Sequence, residues 1–156
     1  MQKLLLSLYL SLCALSAFAQ IITLRPGDPV PALALKDQHD KPARLPVDLK
    51  QIVFAGDKAA SDLAADWLDA QPANWLARTQ RVYLADIHKM PGLVTRLIAL
   101  PKLRDKRYPI ILGREAGELT MFPLREKCVT LLPVAAGKLG EPAFACDAAA
   151  LKVAFQ

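Results

Sequence analysis

The chain has 156 residues, enough for a single domain with its own packed core. Hydrophobic residues make up 53% of it and charged residues 22%, proportions that exclude an intrinsically disordered protein. The formal net charge is only +5, and the basic residues are spread out except between residues 102 and 107. A charge this mild gives no reason to expect a nucleic-acid partner.

The N-terminus has the pattern of a secretory signal peptide. Lys3 supplies a short positive segment, residues 4–15 are apolar, and Ala17 and Ala19 are the small residues of a cleavage site. We therefore expect residues 1–19 to be removed. The apolar run is shorter than the roughly 20 residues of a membrane-spanning helix, so no stable membrane span is expected after cleavage.

Export sets the compartment of the remaining domain, residues 20–156, which we expect to be periplasmic. Lipidation at Cys13 is the lesser alternative, because Leu12 stands where lipoprotein signals have a small residue. After cleavage two cysteines remain, Cys128 and Cys146, in a compartment that favours disulfides.

The first elements of the mature chain are short and extended. Three prolines within residues 26–31 exclude a helix there. Residues 32–45 predict a small hairpin around the polar turn at 37–40. The apolar run 51–55 predicts a central strand that is buried on both faces.

A helix is predicted directly after that strand and the single glycine that follows it, Gly56. Asp57 is a good N-cap residue, and apolar side chains then recur at helical spacing on one face. Those side chains are Ala60, Leu63, Ala64, Trp67 and Leu68.

Two more strands and a helix follow in the second half. We predict strands at 81–87 and 108–112, with a helix between Pro91 and Pro101. The helix would turn one apolar stripe towards the core. That stripe comprises Leu93, Val94, Leu97 and Ile98.

The C-terminal region predicts a β-hairpin and a short helix. Residues 129–134 and 142–146 would pair across the turn 135–138, and Asp147 would cap the helix. Strands alternating with helices predict a parallel core, to which the hairpin adds antiparallel strands. Helices on both faces of a mixed sheet follow from this order.

Two stretches resemble a known family. Residues 27–37, GDPVPALALKD, resemble the entry pattern of redoxins, and residues 108–119, YPIILGREAGEL, resemble the segment before their last hairpin. The chain is thus similar to the redoxin or peroxiredoxin branch of the thioredoxin-like superfamily, and to small exported proteobacterial members with no assigned function. The resemblance implies an α/β fold, thioredoxin-like, with three layers (α/β/α) and a mixed central sheet.

The sequence departs from this family at the start of the helix that begins near Asp57. The active-site cysteines of the family would fall across residues 58–62, where Ala59 replaces the first and Asp62 lies near the second. Ser61 has a hydroxyl but no identifiable general base. We expect no catalytic residue here and a vestigial site at the helix N-terminus. Its residues are Asp57, Lys58, Ala59, Ser61 and Asp62.

The remaining cysteines flank the predicted hairpin. If its turn centres on Gly137, Cys128 and Cys146 face each other across two strands. A structural disulfide, two buried thiols and a redox-active pair all fit this placement. The family alignment puts Cys128 near the loop that faces the active-site turn.

No metal or cofactor is expected. His39 and His88 have no second ligand at metal spacing. The acidic residues of the predicted helix fit a solvated face better than a cation site. The basic segment 102–107 fits a solvated connection better than an anion-binding surface.

Two functions from different classes remain. The first is a non-catalytic binding or accessory module that recognises an envelope protein or peptide. The alternative is a thiol–disulfide oxidoreductase that uses Cys128 and Cys146. A peroxidase is a third possibility, but we expect the mature chain not to consume peroxide.

Overall fold

Seven strands form one mixed sheet in the computed structural model, which describes residues 23–156. The predicted signal peptide and Cys13 lie outside the described residues. The strands are β1 (Lys36–Asp37), β2 (Gln51–Ala55), β3 (Arg81–Asp86), β4 (Ile111–Gly113), β5 (Val129–Ala135), β6 (Lys138–Leu139) and β7 (Ala143–Ala145). Their order is β1-β4-β3-β2-β5-β6, and β7 also pairs with β5. Strands β2, β3 and β4 are parallel, and the other pairings are antiparallel.

The helices lie between and after these strands. They are α1 (Lys58–Asp69), α2 (Trp75–Arg78), α3 (Gly92–Val94), α4 (Leu100–Arg104) and α5 (Ala148–Ala154). A π-helical segment, Thr95–Ala99, joins α3 to α4, and we call the continuous stretch helix 92–104. The predicted thioredoxin-like α/β fold with a mixed central sheet is confirmed. No helix within residues 23–156 is long and apolar enough to cross a membrane.

The two faces of the sheet are covered differently. On one face, α1, α2 and α5 bury Leu68, Leu76 and Leu151 against β2, β3 and β5. On the other face, the sheet packs against loops that carry residues such as Leu35 and Phe122. This second outer layer is therefore built of loops and turns, where a helical layer was expected.

The prediction that helix 92–104 buries one apolar stripe is wrong. Leu93 is 71% exposed and Leu97 is 64% exposed, while Leu100 and Leu103 pack against the core. The π-helical segment holds more residues per turn than an α-helix. The wider turn shifts the core-facing positions to Leu100 and Leu103, and the four predicted residues, Leu93, Val94, Leu97 and Ile98, are all exposed.

Gln38 ties the turn after β1 to the start of β4. It is 1% exposed, and its side-chain amide donates to the carbonyl of Tyr108 at 2.8 Å. Its side-chain oxygen accepts the N–H of Ile110, also at 2.8 Å. The side chain thus satisfies backbone groups that the sheet does not, and β4 begins at Ile111 rather than at the predicted Tyr108.

The C-terminal hairpin contains an irregularity. Its two turn residues, Ala136 and Gly137, both have positive φ, the geometry of a tight two-residue hairpin. Next to the turn, Val134 pairs with Leu139, and farther out Leu131 pairs with Ala143. Three steps along β5 thus correspond to four steps along the returning chain, a register difference of one residue. Residues 140–142 therefore hold a β-bulge.

Candidate functional site

The vestigial site predicted at the helix N-terminus is assembled around Asp57. This residue is the N-cap of α1, and one carboxylate oxygen accepts the N–H of Ala60 at 2.9 Å. The other oxygen accepts the N–H of Lys127 at 2.7 Å. Both oxygens are therefore engaged in holding backbone, and the second bond joins α1 to the loop before β5.

The other residues of this predicted site have no arrangement for covalent chemistry. Lys58 and Asp62 form an exposed ion pair at 2.5 Å, and Ala59 is an exposed methyl group. The Ser61 hydroxyl is buried beside the phenol of Tyr83. Because no base contacts it, the hydroxyl stays a weak nucleophile. That the site is vestigial stays a prediction.

We expect Asp57→Ala to lower the free energy of unfolding by about 1–2 kcal/mol, because it removes a side-chain N-cap and the bond to Lys127. Asp147→Ala is a matched control: the Asp147 side chain caps α5 by accepting the N–H of Ala150 at 2.8 Å and makes no second bond within residues 23–156. Urea unfolding should show a larger loss for Asp57→Ala. Equal losses would mean that the bond to Lys127 contributes nothing.

Cys128 and Cys146 form a disulfide. They continue the β5–β7 ladder one step beyond Val129↔Ala145, and their Cα atoms are 4.1 Å apart. Cys128 is 3% exposed, whereas Cys146 is an exposed residue. The pair therefore presents one sulfur-bearing residue to solvent and keeps the other inside the protein.

The disulfide lies beside the N-terminus of α1. Lys127, the neighbour of Cys128, has a left-handed conformation (φ 61°) and donates its N–H to the N-cap Asp57. On the β7 side, the guanidinium of Arg125 lies 4.8 Å from the ring centre of Phe144. Sequence reasoning did not single out Arg125 or Phe144, and their closeness to the cysteines in the chain was the available signal.

The basic segment 102–107 folds back onto the protein. Arg104 binds Asp40 at 2.8 Å and the carbonyl of Gln38 at 2.9 Å. Lys106 pairs with Asp69. A second arginine, Arg114, also binds Asp40, and this hydrogen bond contributes most to lowering the pKa of that carboxyl. These charges are largely used within the domain.

The two histidines are far from metal geometry. His39 lies exposed in the turn after β1, and His88 pairs with Asp86 at 2.6 Å. Within the described part of the chain, no group of three or more histidine, cysteine or acidic residues is placed to hold a metal ion.

Comparison with known proteins identifies the fold. No family model matches the sequence, and no curated protein sequence matches it either. The structure resembles a putative protein disulfide isomerase from Bacteroides thetaiotaomicron, with a TM-score of 0.56 and 14% identity over 85% of this chain and 87% of that one.

Two further structures extend the comparison. An uncharacterized thioredoxin-like protein from Porphyromonas gingivalis gives a TM-score of 0.51 and 15% identity, over 81% of this chain and 88% of that one. A peroxiredoxin-like protein from Aquifex aeolicus gives 0.50 and 8%, over 85% and 87%. The chain has the thioredoxin-like fold, and its redoxin-type resemblance is confirmed at that level.

The first functional hypothesis, a non-catalytic module, is wrong on these findings. It started from the missing cysteines at α1, but the described chain carries a bonded cysteine pair elsewhere. The fold it shares includes a structure named as a putative disulfide isomerase. Together these findings favour the oxidoreductase alternative.

Proposed function

We propose that the protein is a thiol–disulfide oxidoreductase whose redox-active pair is Cys128 and Cys146. The observation that carries the proposal is the asymmetric burial of the disulfide. An incoming substrate thiol can reach the sulfur of the exposed Cys146, whereas burial shields the sulfur of Cys128 from it. Thiol–disulfide exchange depends on such access and on which sulfur is attacked.

The exchange begins at Cys146. A substrate thiolate attacks the Sγ of Cys146, the S–S bond breaks, and Cys128 leaves as a thiolate that takes up a proton from water. A second substrate thiolate then attacks the substrate sulfur of this mixed disulfide, and Cys146 leaves. The substrate dithiol loses two electrons and becomes a disulfide, and the protein pair gains them. An oxidising disulfide partner would regenerate the protein.

Charged groups of both signs and the N-terminus of α1 surround the leaving thiolate of Cys128. Lys127 is adjacent to Cys128 in the chain, and Arg125 lies three residues before it. Positive charge and a helix N-terminus lower the pKa of a thiol, and Asp57, the N-cap of α1, is bonded to Lys127. The opposing negative charges are Glu126 and Asp57 itself.

The compartment and the substrate class belong to the same proposal. The predicted signal peptide would deliver residues 20–156 to the periplasm, where disulfides persist. The substrate we propose is an exported polypeptide with two cysteines. In support, the Bacteroides protein of the same fold is described as a putative disulfide isomerase.

The central test is electron transfer to the pair. Oxidised protein should convert a reduced dithiol peptide to its disulfide without oxygen, and mass spectrometry should show the protein gaining two hydrogens. The Cys128→Ser/Cys146→Ser variant is the inactive control. A pair that resists the peptide, with a reduction potential below about −300 mV, would be a structural disulfide and would overturn the proposal.

The order of attack is tested with the single variants. In Cys128→Ser the remaining thiol, Cys146, should react with an aromatic disulfide reagent at least about tenfold faster than Cys128 does in Cys146→Ser, because thiol reactivity follows exposure. Absorbance of the released thiolate gives both rates. Equal rates, or a faster Cys128, would contradict the assignment of Cys146 as the attacked residue.

A further inference from the structure

The outer edge of the C-terminal hairpin is covered along only one of its halves. Strands β6 and β7 both lie on the side of β5 that faces away from β2. Beside β6, Gly27 donates its N–H to the carbonyl of Leu139 at 2.7 Å, and Leu139 donates its own to Asp28 at 2.9 Å. Beside β7 there is no such segment, since β5 is its only strand partner within residues 23–156. Strand β7 is therefore an open edge of the sheet.

The spacing of the cysteines shows which backbone groups this edge presents. In an antiparallel ladder, two facing residues that bond each other have Cα atoms about 5.5 Å apart, and two that do not are about 4.5 Å apart. Cys128 and Cys146, at 4.1 Å, are a pair of the second kind. Phe144 lies two residues before Cys146, so its pair with Thr130 is of the same kind. The N–H and C=O groups of Phe144 and Cys146 thus point away from β5.

The hydrogen bonds near the hairpin turn agree with this assignment. The carbonyl of Pro133 accepts the N–H of Gly140 at 2.8 Å, so Pro133 faces the returning chain. Alternate residues of a strand direct their backbone groups to the same neighbour, and Leu131 and Val129 therefore face β7. Their partners in β7 flank Phe144. The backbone groups of Phe144 consequently face the open edge.

The open edge runs as far as the cysteine pair. Asp147 is still extended, with φ −148° and ψ 170°, so the backbone does not turn away before it has passed Cys146. A strand added at this edge would place one residue directly beside Cys146, on the side opposite Cys128. The Cβ atoms of facing residues lie about 4.5–5.5 Å apart. A cysteine at that position could therefore bring its sulfur into contact with that of Cys146.

This placement suits the exchange reaction. A sulfur nucleophile approaches the attacked sulfur from the side opposite the leaving sulfur. The added cysteine, Cys146 and Cys128 would lie in that order across the sheet. The incoming thiolate forms a bond to the Sγ of Cys146 while the S–S bond breaks, and Cys128 leaves with the electron pair and takes up a proton from water.

The opposite face of β7 offers a place for a neighbouring side chain. An open apolar hollow of about 500 Å³ lies there between β7 and α5. Its lining includes Ala143, Ala145, Ala150 and Val153, of which Val153 is 72% exposed. Successive side chains of a strand point to opposite faces, so a residue next to the added cysteine would lie over this hollow. In strand addition, main-chain bonds supply affinity and such pockets supply specificity.

We propose that β7 binds the substrate polypeptide as an added antiparallel strand, with the substrate cysteine opposite Cys146 and an apolar residue beside it over the hollow. The inference rests on the proposed function, because the bound segment is the substrate of the exchange. Its occupant is a cysteine-containing segment, since the open edge ends at the exposed cysteine. Only Phe144 and Cys146 offer outward backbone groups, so binding is weak and the oxidised product can leave.

The first test uses a short peptide with a central cysteine between two leucines, and the same peptide methylated at the cysteine nitrogen. Methylation removes the N–H that bonds the carbonyl of Cys146. With the whole oxidised protein, mass spectrometry after acid quenching should show mixed disulfide forming about fivefold more slowly, the value of one hydrogen bond. Equal rates for the two peptides would overturn the docking and leave the proposed function standing. If neither these peptides nor 2-mercaptoethanol opens the disulfide, the proposed function itself fails.

Two variants test the edge from the side of the protein. Phe144→Pro removes an outward N–H at a kind of position that tolerates proline, and Phe144→Ala removes the ring but keeps the N–H. The peptide rate is divided by the 2-mercaptoethanol rate of the same variant, which corrects for changes at the disulfide. This ratio should be about fivefold lower in Phe144→Pro than in Phe144→Ala. Equal ratios would contradict the proposal, as would a dimer closed through β7, seen by light scattering and lost in Phe144→Pro.

Discussion

Replacing Gln38 with alanine is expected to lower the free energy of unfolding by about 4 kcal/mol. The side chain bonds the carbonyl of Tyr108 and the N–H of Ile110, and both bonds are buried. Alanine leaves both backbone groups unsatisfied, and each such group costs about 1–3 kcal/mol. Urea unfolding followed by circular dichroism measures the loss.

The control is Gln71→Ala. Gln71 is partly buried and makes one long bond of 3.4 Å to the carbonyl of Trp67, so this change should cost no more than about 0.5 kcal/mol. If both variants lose the same small amount, Gln38 does not hold the start of β4.

Gln38→Glu adds a pH signature. Its carboxylate still accepts from Ile110 but cannot donate to Tyr108, and burial raises the pKa of a carboxyl in the folded state. A raised folded pKa means that the variant is most stable below the unfolded value and loses stability as the pH rises through the folded one. The difference in free energy of unfolding between the unmodified protein and Gln38→Glu should therefore increase from acid to neutral pH.

The second large effect concerns the disulfide. Cys128→Ala/Cys146→Ala is expected to lower the free energy of unfolding by about 3 kcal/mol, because the bond closes a loop across a sequence separation of 18 and restricts the unfolded chain. Chemical reduction of the unmodified protein should cost a similar amount. If neither treatment changes the unfolding midpoint, the bond does not contribute to stability.

This stability value and the redox proposal constrain each other. In a thermodynamic cycle, the fold stabilises the disulfide by as much as the disulfide stabilises the fold. About 1.4 kcal/mol corresponds to 30 mV for a two-electron couple. A stabilisation of about 3 kcal/mol would therefore place the potential about 60 mV below that of the same pair in the unfolded chain. The two measurements can be checked against each other.

The parts of the fold that depend on neighbouring residues were predictable from the sequence. The strand at 51–55, the N-cap Asp57 and the helix after it were predicted in place, since caps and apolar periodicity are local signals. The hairpin turn was predicted at 135–138 and lies there, but counting outward from Gly137 faces the cysteines only because the bulge at 140–142, which was not predicted, shifts the register by one residue. The disulfide that they form is observed.

The parts that depend on distant contacts were not predictable. Gln38 looked like a polar turn residue, because its partners lie about 70 residues away. The stripe on helix 92–104 was assigned to the core because its π-helical segment has no evident local signal. A cavity between α1 and helix 92–104 arises from packing between separate elements. Of the candidate site, the sequence indicated the cysteine pair but not which cysteine is exposed.

The β-bulge at residues 140–142 has a consequence for the cysteine bond. If the same sequence kept the register next to the turn and formed no bulge, Cys128 would lie opposite Ala145 instead of Cys146. Successive side chains of a strand point to opposite faces, so Cys146 would then project to the other side of the sheet. At the present loop length, the tight turn at 136–137 brings the two cysteines opposite each other only because the bulge takes up one residue. Deleting one residue of 140–142 would remove the bulge and leave Cys128 opposite Cys146.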